Sequence, residues 1–206
     1  MVTQLSRFAP LTGVVYALLT LFAFGTASGA PSSSASGMKV IAFYESHRTS
    51  ARVSDLLWML AFAFLVLFAG TLRSHLRRKP SAEALSSVVL AGAAVFAAGA
   101  VIYFDFDFAL AAVPSHLAPA AAQALNVLAL NMQLAASAGG LVFGLTAGLA
   151  ILRGDTLPNW LGWSVIVIGL IAATPAFIFA LVLFALWAAT AGIVIWRRTP
   201  GAPVPA

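Results

Sequence analysis

A chain of 206 residues in which 62% are hydrophobic and only 8% are charged is not an ordinary soluble domain. Soluble chains run at about 45–50% apolar and about 25% charged. A mean hydropathy of +1.00 leaves too little polar surface to cover such a fold in water, and it excludes disorder, which needs low hydrophobicity. The fold class that remains is all-α, a polytopic integral membrane helix bundle that takes up residues 1–206 as one transmembrane domain. There are no cysteines, so disulfides, thiolate metal sites, thiol nucleophiles and covalent c-type haem are excluded. The net charge of +5 does not point to nucleic acid. The basic residues sit in short connections between apolar runs, where they set membrane orientation.

A membrane span needs about 20 mostly apolar residues. The first such segment covers about 10–29, with Pro10 suited to a first helical turn. Arg7, the apolar run and the small residues before Pro31 imitate a secretory signal. Proline just past the apparent cut disfavours cleavage, so a retained helix is expected. Residues 30–55 read as an outer loop, Ser-rich from Pro31 to Gly37 and too short to bury a core of its own. Within it, Met38 to Tyr44 is a short apolar stretch suited to the membrane surface.

The second segment covers 56–72 and ends at Arg73; the third covers 84–104. The fourth, 119–152, is longer than a bilayer core requires. The last apolar block would be roughly 55 Å long as one helix, too much for a single crossing. The punctuation inside it is Thr174-Pro175, which divides it into 159–174 and 176–196. Six transmembrane helices are therefore predicted.

The basic residues test that count. Arg7, Arg73, Arg77, Arg78, Lys79, Arg153, Arg197 and Arg198 fall on one side, and Lys39, Arg48 and Arg52 on the other. This bias fits the positive-inside rule with both termini cytoplasmic, as in a multi-pass protein of the cytoplasmic membrane. Trp160, Trp163 and Trp196 fall at the inner boundary, where amphipathic rings prefer to sit. His75 and the Arg77-Arg78-Lys79 run fit anionic headgroups of membrane lipids.

The fourth segment carries a stripe. Gln123, Asn126, Gln133 and Ser137 fall within about an 80° arc at 100° per residue, and Gly140, Gly144 and Gly148 continue the same side. Small residues at this spacing let helices approach until backbones touch, and amides at membrane depth need partners. Two readings stand: helix packing throughout, or an outward-opening polar cavity closed below by the glycine contact. The glycine face also suits docking to a second copy or to a complex partner. Gly139-Gly140 is a candidate hinge.

The third segment ends in Tyr103-Phe-Asp-Phe-Asp-Phe108. Acids near membrane depth point to function by default. Glu45, His47, Asp55 and His116 fall on the same predicted side, with Arg48 and Arg52 close enough to pair with some of them. Three readings compete here: solvated interfacial charges beside aromatic anchors, a general acid at Asp105 or Asp107 in an apolar pocket, or a metal site. No HxxxH, HExxH or comparable spacing supports a metal. On a helix Asp105 and Asp107 point about 200° apart, so one pocket takes only one of them.

Other membrane functions lose ground on placement. Every lysine lies in a connection and every histidine outside the predicted spans, against a retinal pump and against b-type haem. No midplane charge suggests ion coupling, no Walker or Rossmann glycine pattern occurs in a soluble context, and no cofactor is implied.

The turn Leu152-Arg-Gly-Asp-Thr-Leu-Pro-Asn-Trp-Leu-Gly-Trp163 resembles the R-(S/G)-x-x-L-P-x-W-L-G turn of a large bacterial, often actinobacterial, family of small multi-pass membrane proteins of unknown function. Leu72-Arg73-x-x-Leu76-Arg77-Arg78 is similar to that family too, whereas Tyr103 to Phe108 departs from it. The resemblance implies about six helices and carries no catalytic residues.

These features favour a membrane protein that holds a small amphipathic or lipid-like ligand between the third and fourth helices, with Gln123, Asn126, Gln133, Ser137, Phe104 and Phe108 as binding residues. The alternative is an intramembrane isoprenoid- or lipid-modifying enzyme, with Asp105 or Asp107 as proton donor and Phe104, Phe106 and Phe108 beside a carbocation. A third reading is a structural subunit of a membrane complex that docks through the glycine face.

Overall fold

The computed structural model describes residues 7–198, so the terminal tails, predicted to be cytoplasmic, lie outside the described residues. The fold is 87% helix. A 3-10 turn at Ala9–Leu11 leads into α1 (Thr12–Thr26), followed by α2 (Gly37–Ser46), α3 (Arg48–Leu76), α4 (Pro80–Ala112), α5 (Pro119–Gly154), α6 (Asn159–Ala172) and α7 (Phe177–Arg198). Among the described residues no strand occurs, and five helices are long and apolar enough to cross a membrane. The sixth predicted span is α6, whose 14 residues reach roughly 21 Å at 1.5 Å per residue.

Helix boundaries follow local chemistry. Pro80 and Pro119 open α4 and α5, where a missing N–H costs nothing. Asp155 closes α5 in the left-handed region at φ 48° and donates its N–H to the Ile151 carbonyl at 3.1 Å. The Thr174 hydroxyl donates to Ile171 O at 2.7 Å and accepts from the Ala176 N–H at 3.2 Å, which makes the predicted break before α7. Gly139-Gly140 is no hinge, because α5 runs through it without interruption.

Six helices form a closed ring: α1 packs on α3, α3 on α4, α4 on α5, α5 on α6, α6 on α7 and α7 back on α1. A column of aromatic rings fills its centre. Trp58 stacks on Phe62 at 6.0 Å, Phe62 meets Phe96 edge-on at 5.4 Å, and Phe96, Phe184, Phe143, Trp187 and Phe68 continue the column. Such offset and edge-to-face contacts are worth about 0.5–1.5 kcal/mol each beyond the area buried. Leu18, Phe22, Leu67, Val95, Val167 and Phe179 project outward as an exposed apolar surface.

Glycines set the closest helix approaches. A Cβ at Gly92 would lie 2.7 Å from Phe143 N, one at Gly99 2.5 Å from Ala136 N, and one at Gly139 would collide with the Phe96 backbone, so α4 and α5 touch main chain to main chain. On the other side of α5, Gly144 faces Gly169 and Gly148 faces Gly162, both on α6, while Gly140 meets Ala172, Phe184 and Phe96. The face considered for docking is thus already covered from within the chain.

The predicted loop 30–55 is mostly helix. The apolar stretch at Met38 becomes part of α2, and α3 starts at Arg48 rather than 56. With the C-terminal turns of α4 and the first turns of α5, α2 forms a cap around Val40, Tyr44, Ala51, Leu110, Ala111 and Ala122. Gly37 seats α2 directly on the Pro119 backbone. Two ends can therefore be named: the cap end, and a basic end where Arg198 donates to Thr156 O at 3.0 Å and Ser81 to Arg153 O at 2.9 Å.

Gly144→Leu tests the ring. A Cβ there lies 2.7 Å from both Gly169 Cα and Val165 O, and overpacking of this kind costs about 1–3 kcal/mol. Its thermal midpoint in detergent is expected to fall below that of the parent chain; an unchanged midpoint would mean that α5 and α6 do not pack in this way.

Candidate functional site: an acidic aromatic cavity under the cap

The residues that matter lie where the cap joins the ring. The buried face of α3 starts within the cap and runs through Ala51, Ser54, Asp55, Trp58, Ala61, Phe62 and Leu65. Asp55 is therefore carried inward by the same helical period that buries Trp58. It is only 7% exposed. Opposite it, α4 presents Tyr103, Phe104 and Asp107, and α2 supplies Tyr44.

Between these elements lies a cavity of about 320 Å³ lined by Tyr44, Ser54, Asp55, Trp58, Tyr103, Phe104 and Asp107, with the chain from Phe24 to Ala30 at its rim. The rim is anchored: Ser54 donates to Ala23 O at 3.0 Å, and the Ser28 and Ser50 hydroxyls bond at 2.7 Å. Gly29 turns the rim at φ 76°, a conformation that glycine adopts without steric cost. Trp58 and Phe104 lie stacked at 4.7 Å with planes 7° apart, and Tyr103 meets Phe104 edge-on at 4.9 Å.

The two carboxyl groups differ: Asp55 is buried and Asp107 half-buried. The Tyr44 hydroxyl donates to Asp107 Oδ1 at 2.8 Å. Burial first, and the neighbouring Asp107 second, push the Tyr44 hydroxyl far above its ordinary pKa, so it stays protonated and serves as a fixed donor. Asp55 has no such donor: its Oδ2 is buried without a hydrogen-bond partner among the described residues. Nearby cations are turned elsewhere. Arg52 lies over the Phe108 ring at 5.2 Å, and Arg48 donates to the Ala112 carbonyl.

The predicted site residues divide. Phe104 and Asp107 line the cavity. Asp105 is exposed and lines a separate cavity of about 120 Å³, shared with Asp55, Phe104 and Phe108. The two aspartates thus serve different spaces, as their spacing on a helix requires. Gln123 is exposed. Asn126 is buried and donates to Ser32 O at 3.1 Å, which pins the serine-rich segment to α5. Gln133 and Ser137 lie in a surface notch beside Thr174 and Pro175. The cavity therefore lies between α3, α4 and the cap, and the amide stripe of α5 does not reach it.

Tyr44, Ser54, Asp55, Trp58 and Tyr103 are the members that sequence reasoning did not assign to a site. Extending the second segment back to residue 48 would have found Asp55 with Ser54 and Trp58, because an acid then falls on a face otherwise made of Ala51, Ser54, Trp58, Phe62 and Leu65. The histidines stay apart: His47 stacks on Phe43 at 4.4 Å and His116 sits in the 3-10 turn Pro114–His116. Among the described residues no group of three or more His, Asp or Glu gathers as a metal site.

No family model, no curated protein and no solved structure matches the chain. Function must therefore come from the residues of the cavity.

The Tyr44–Asp107 bond is testable by a double-mutant cycle. Tyr44→Phe leaves the half-buried Asp107 carboxyl without its donor, at a cost of about 0.5–1.5 kcal/mol. Chemical denaturation of Tyr44→Phe, Asp107→Asn and the double variant is expected to give a coupling of about 0.5–3 kcal/mol; additive losses would show that the pair does not interact.

Proposed function

We propose that this protein is a multi-pass protein of the cytoplasmic membrane whose outer end holds a small amphipathic or lipid-like molecule in the cavity beneath the cap. The observation that carries this reading is a cavity of about 320 Å³ with a stacked Trp58–Phe104 wall and the carboxyl groups of Asp55 and Asp107 in its lining. Small-molecule sites are concave and mostly apolar, of about 300–1,000 Å³, with a few placed polar groups. Position adds support, because the cavity lies at the seam between the long apolar helices of the ring and the separate cluster of the cap.

The charge bias and the pairing of α6 with α5 and α7 support a reading of six crossings with the basic end and both termini cytoplasmic. Membership of the bacterial multi-pass family is proposed on the Leu152 to Trp163 turn. In that turn Leu157 is buried and the Trp187 indole N–H donates to Leu161 O at 2.9 Å.

Binding is favoured over lipid or isoprenoid modification by one detail. Asp105 is exposed and lines the smaller cavity, and Asp107 is held at Oδ1 by the Tyr44 hydroxyl, so neither stands free in the larger cavity. The structural-subunit reading has less support, since α6 already covers Gly144 and Gly148.

Native mass spectrometry of the chain extracted gently from its own membrane tests the ligand. A discrete bound mass is expected in the parent and absent from Trp58→Ala; a bare chain, or one with bulk phospholipid only, would sink the reading. Orientation has an equally direct test, because the chain has no cysteine of its own. Ser34→Cys is expected to react with an impermeant maleimide in intact cells, and Ser74→Cys only after lysis. The reverse pattern would overturn the orientation.

A further inference from the structure

The unpartnered carboxyl of Asp55 has a consequence for what the cavity accepts. A buried carboxylate without a donor or counter-charge is costly, and the cost is removed when a cation is supplied. Among the described residues none supplies one. Its basic neighbours on α3, Arg48 and Arg52, are engaged with the Ala112 carbonyl and the Phe108 ring, and Lys39 on α2 lines a separate surface groove. Across the cavity stands a second carboxyl, Asp107, already held by Tyr44. The remaining walls are Trp58, Tyr103 and Phe104, whose π-systems attract organic cations and repel anions.

We infer that the ligand carries an ammonium group, which sits against Asp55 with Asp107 as the second counter-charge and the Trp58, Tyr103 and Phe104 rings around its alkyl substituents. This rests on the cavity being a ligand site. The inference does not rest on acidity alone: Asp55 is 7% exposed, lines the cavity and has a buried oxygen with no hydrogen-bond partner among the described residues. A neutral head could at most hydrogen-bond that oxygen and would supply no counter-charge, and an anion would add repulsion from both carboxyl groups. A metal cation fits less well, because it would have to exchange its hydration shell for a largely aromatic wall. Ammonium groups reach this depth either as free amphiphilic amines or as headgroups of zwitterionic lipids, and the chemistry at Asp55 is the same for both.

The test uses the full chain in neutral maltoside micelles, read by the fluorescence component that Trp58→Phe removes. Choline is titrated against dimethylbutanol, its uncharged isostere with carbon in place of nitrogen. Diheptanoylphosphatidylcholine is titrated against diheptanoylphosphatidylglycerol in parallel. The expected result is saturable binding of choline at least tenfold tighter than dimethylbutanol. That preference should be lost in Asp55→Asn and kept in Glu45→Gln, a surface acid outside the cavity. If choline is silent but the phosphatidylcholine binds at least tenfold tighter than the phosphatidylglycerol, the ammonium is a lipid headgroup. Should Asp55→Asn fail to fold, the isostere comparison in the parent chain still decides. Equal binding of the charged and uncharged probes would overturn the ammonium assignment while leaving the cavity as an amphiphile site. No binding of any probe would remove both.

Discussion

The close approach of α4 and α5 is the constraint on which the rest depends. Gly92, Gly99 and Gly139 let the two main chains touch, and lipid offers no hydrophobic drive that could substitute for such packing. The pair becomes a stiff double rod. One helix has 33 residues and the other 36, roughly 50 and 54 Å at 1.5 Å per residue, against about 30 Å of hydrocarbon. Both therefore have length to spare beyond the bilayer core. That surplus is what α2 and the first turns of α3 pack on to make the cap.

The cavity follows from unequal helix lengths. α1 stops at Thr26 and α7 starts at Phe177, whereas α3, α4 and α5 continue into the cap. The hydrophobic interior is accordingly split into a large cluster within the ring and a small one within the cap. Trp58 and Phe104 belong to the first and Tyr44 to the second. Asp55 and Asp107 lie at the seam, where neither cluster closes over them. A carboxyl group is tolerated there because the packing is already interrupted.

Much of this was legible in the residues. The all-helical class, the break at Thr174-Pro175 and the start at Pro119 follow from composition and backbone chemistry alone, whereas the helix predicted from 84 starts at Pro80. The reading erred where hydropathy stands in for helix length. An apolar window marks the part of a helix that suits hydrocarbon, and α3 continues for two turns beyond it through Arg48, Arg52 and Asp55. Taking those turns as loop removed Asp55 from the face it shares with Trp58. The stripe on α5 misled for a different reason. Angular position on a helix shows which residues share a side, but not which neighbour covers them, and the same side meets Ser32 near Asn126 and Gly169 near Gly144.

The ring closes between its first and last helices, where Gly13 meets the Ala188 backbone and Gly192 that of Pro10. The two described chain ends therefore lie side by side at the basic end. A ring sealed in this way has no privileged starting point: its contacts are indifferent to where the backbone is cut, provided that the cut falls in a connection at that same end. Circular permutation, with the ends joined and the chain opened between Arg78 and Lys79, would keep every helix running in its present direction. Connectivity and architecture are separable in this fold, and the order in which helices are made is free to vary while the cavity stays as it is.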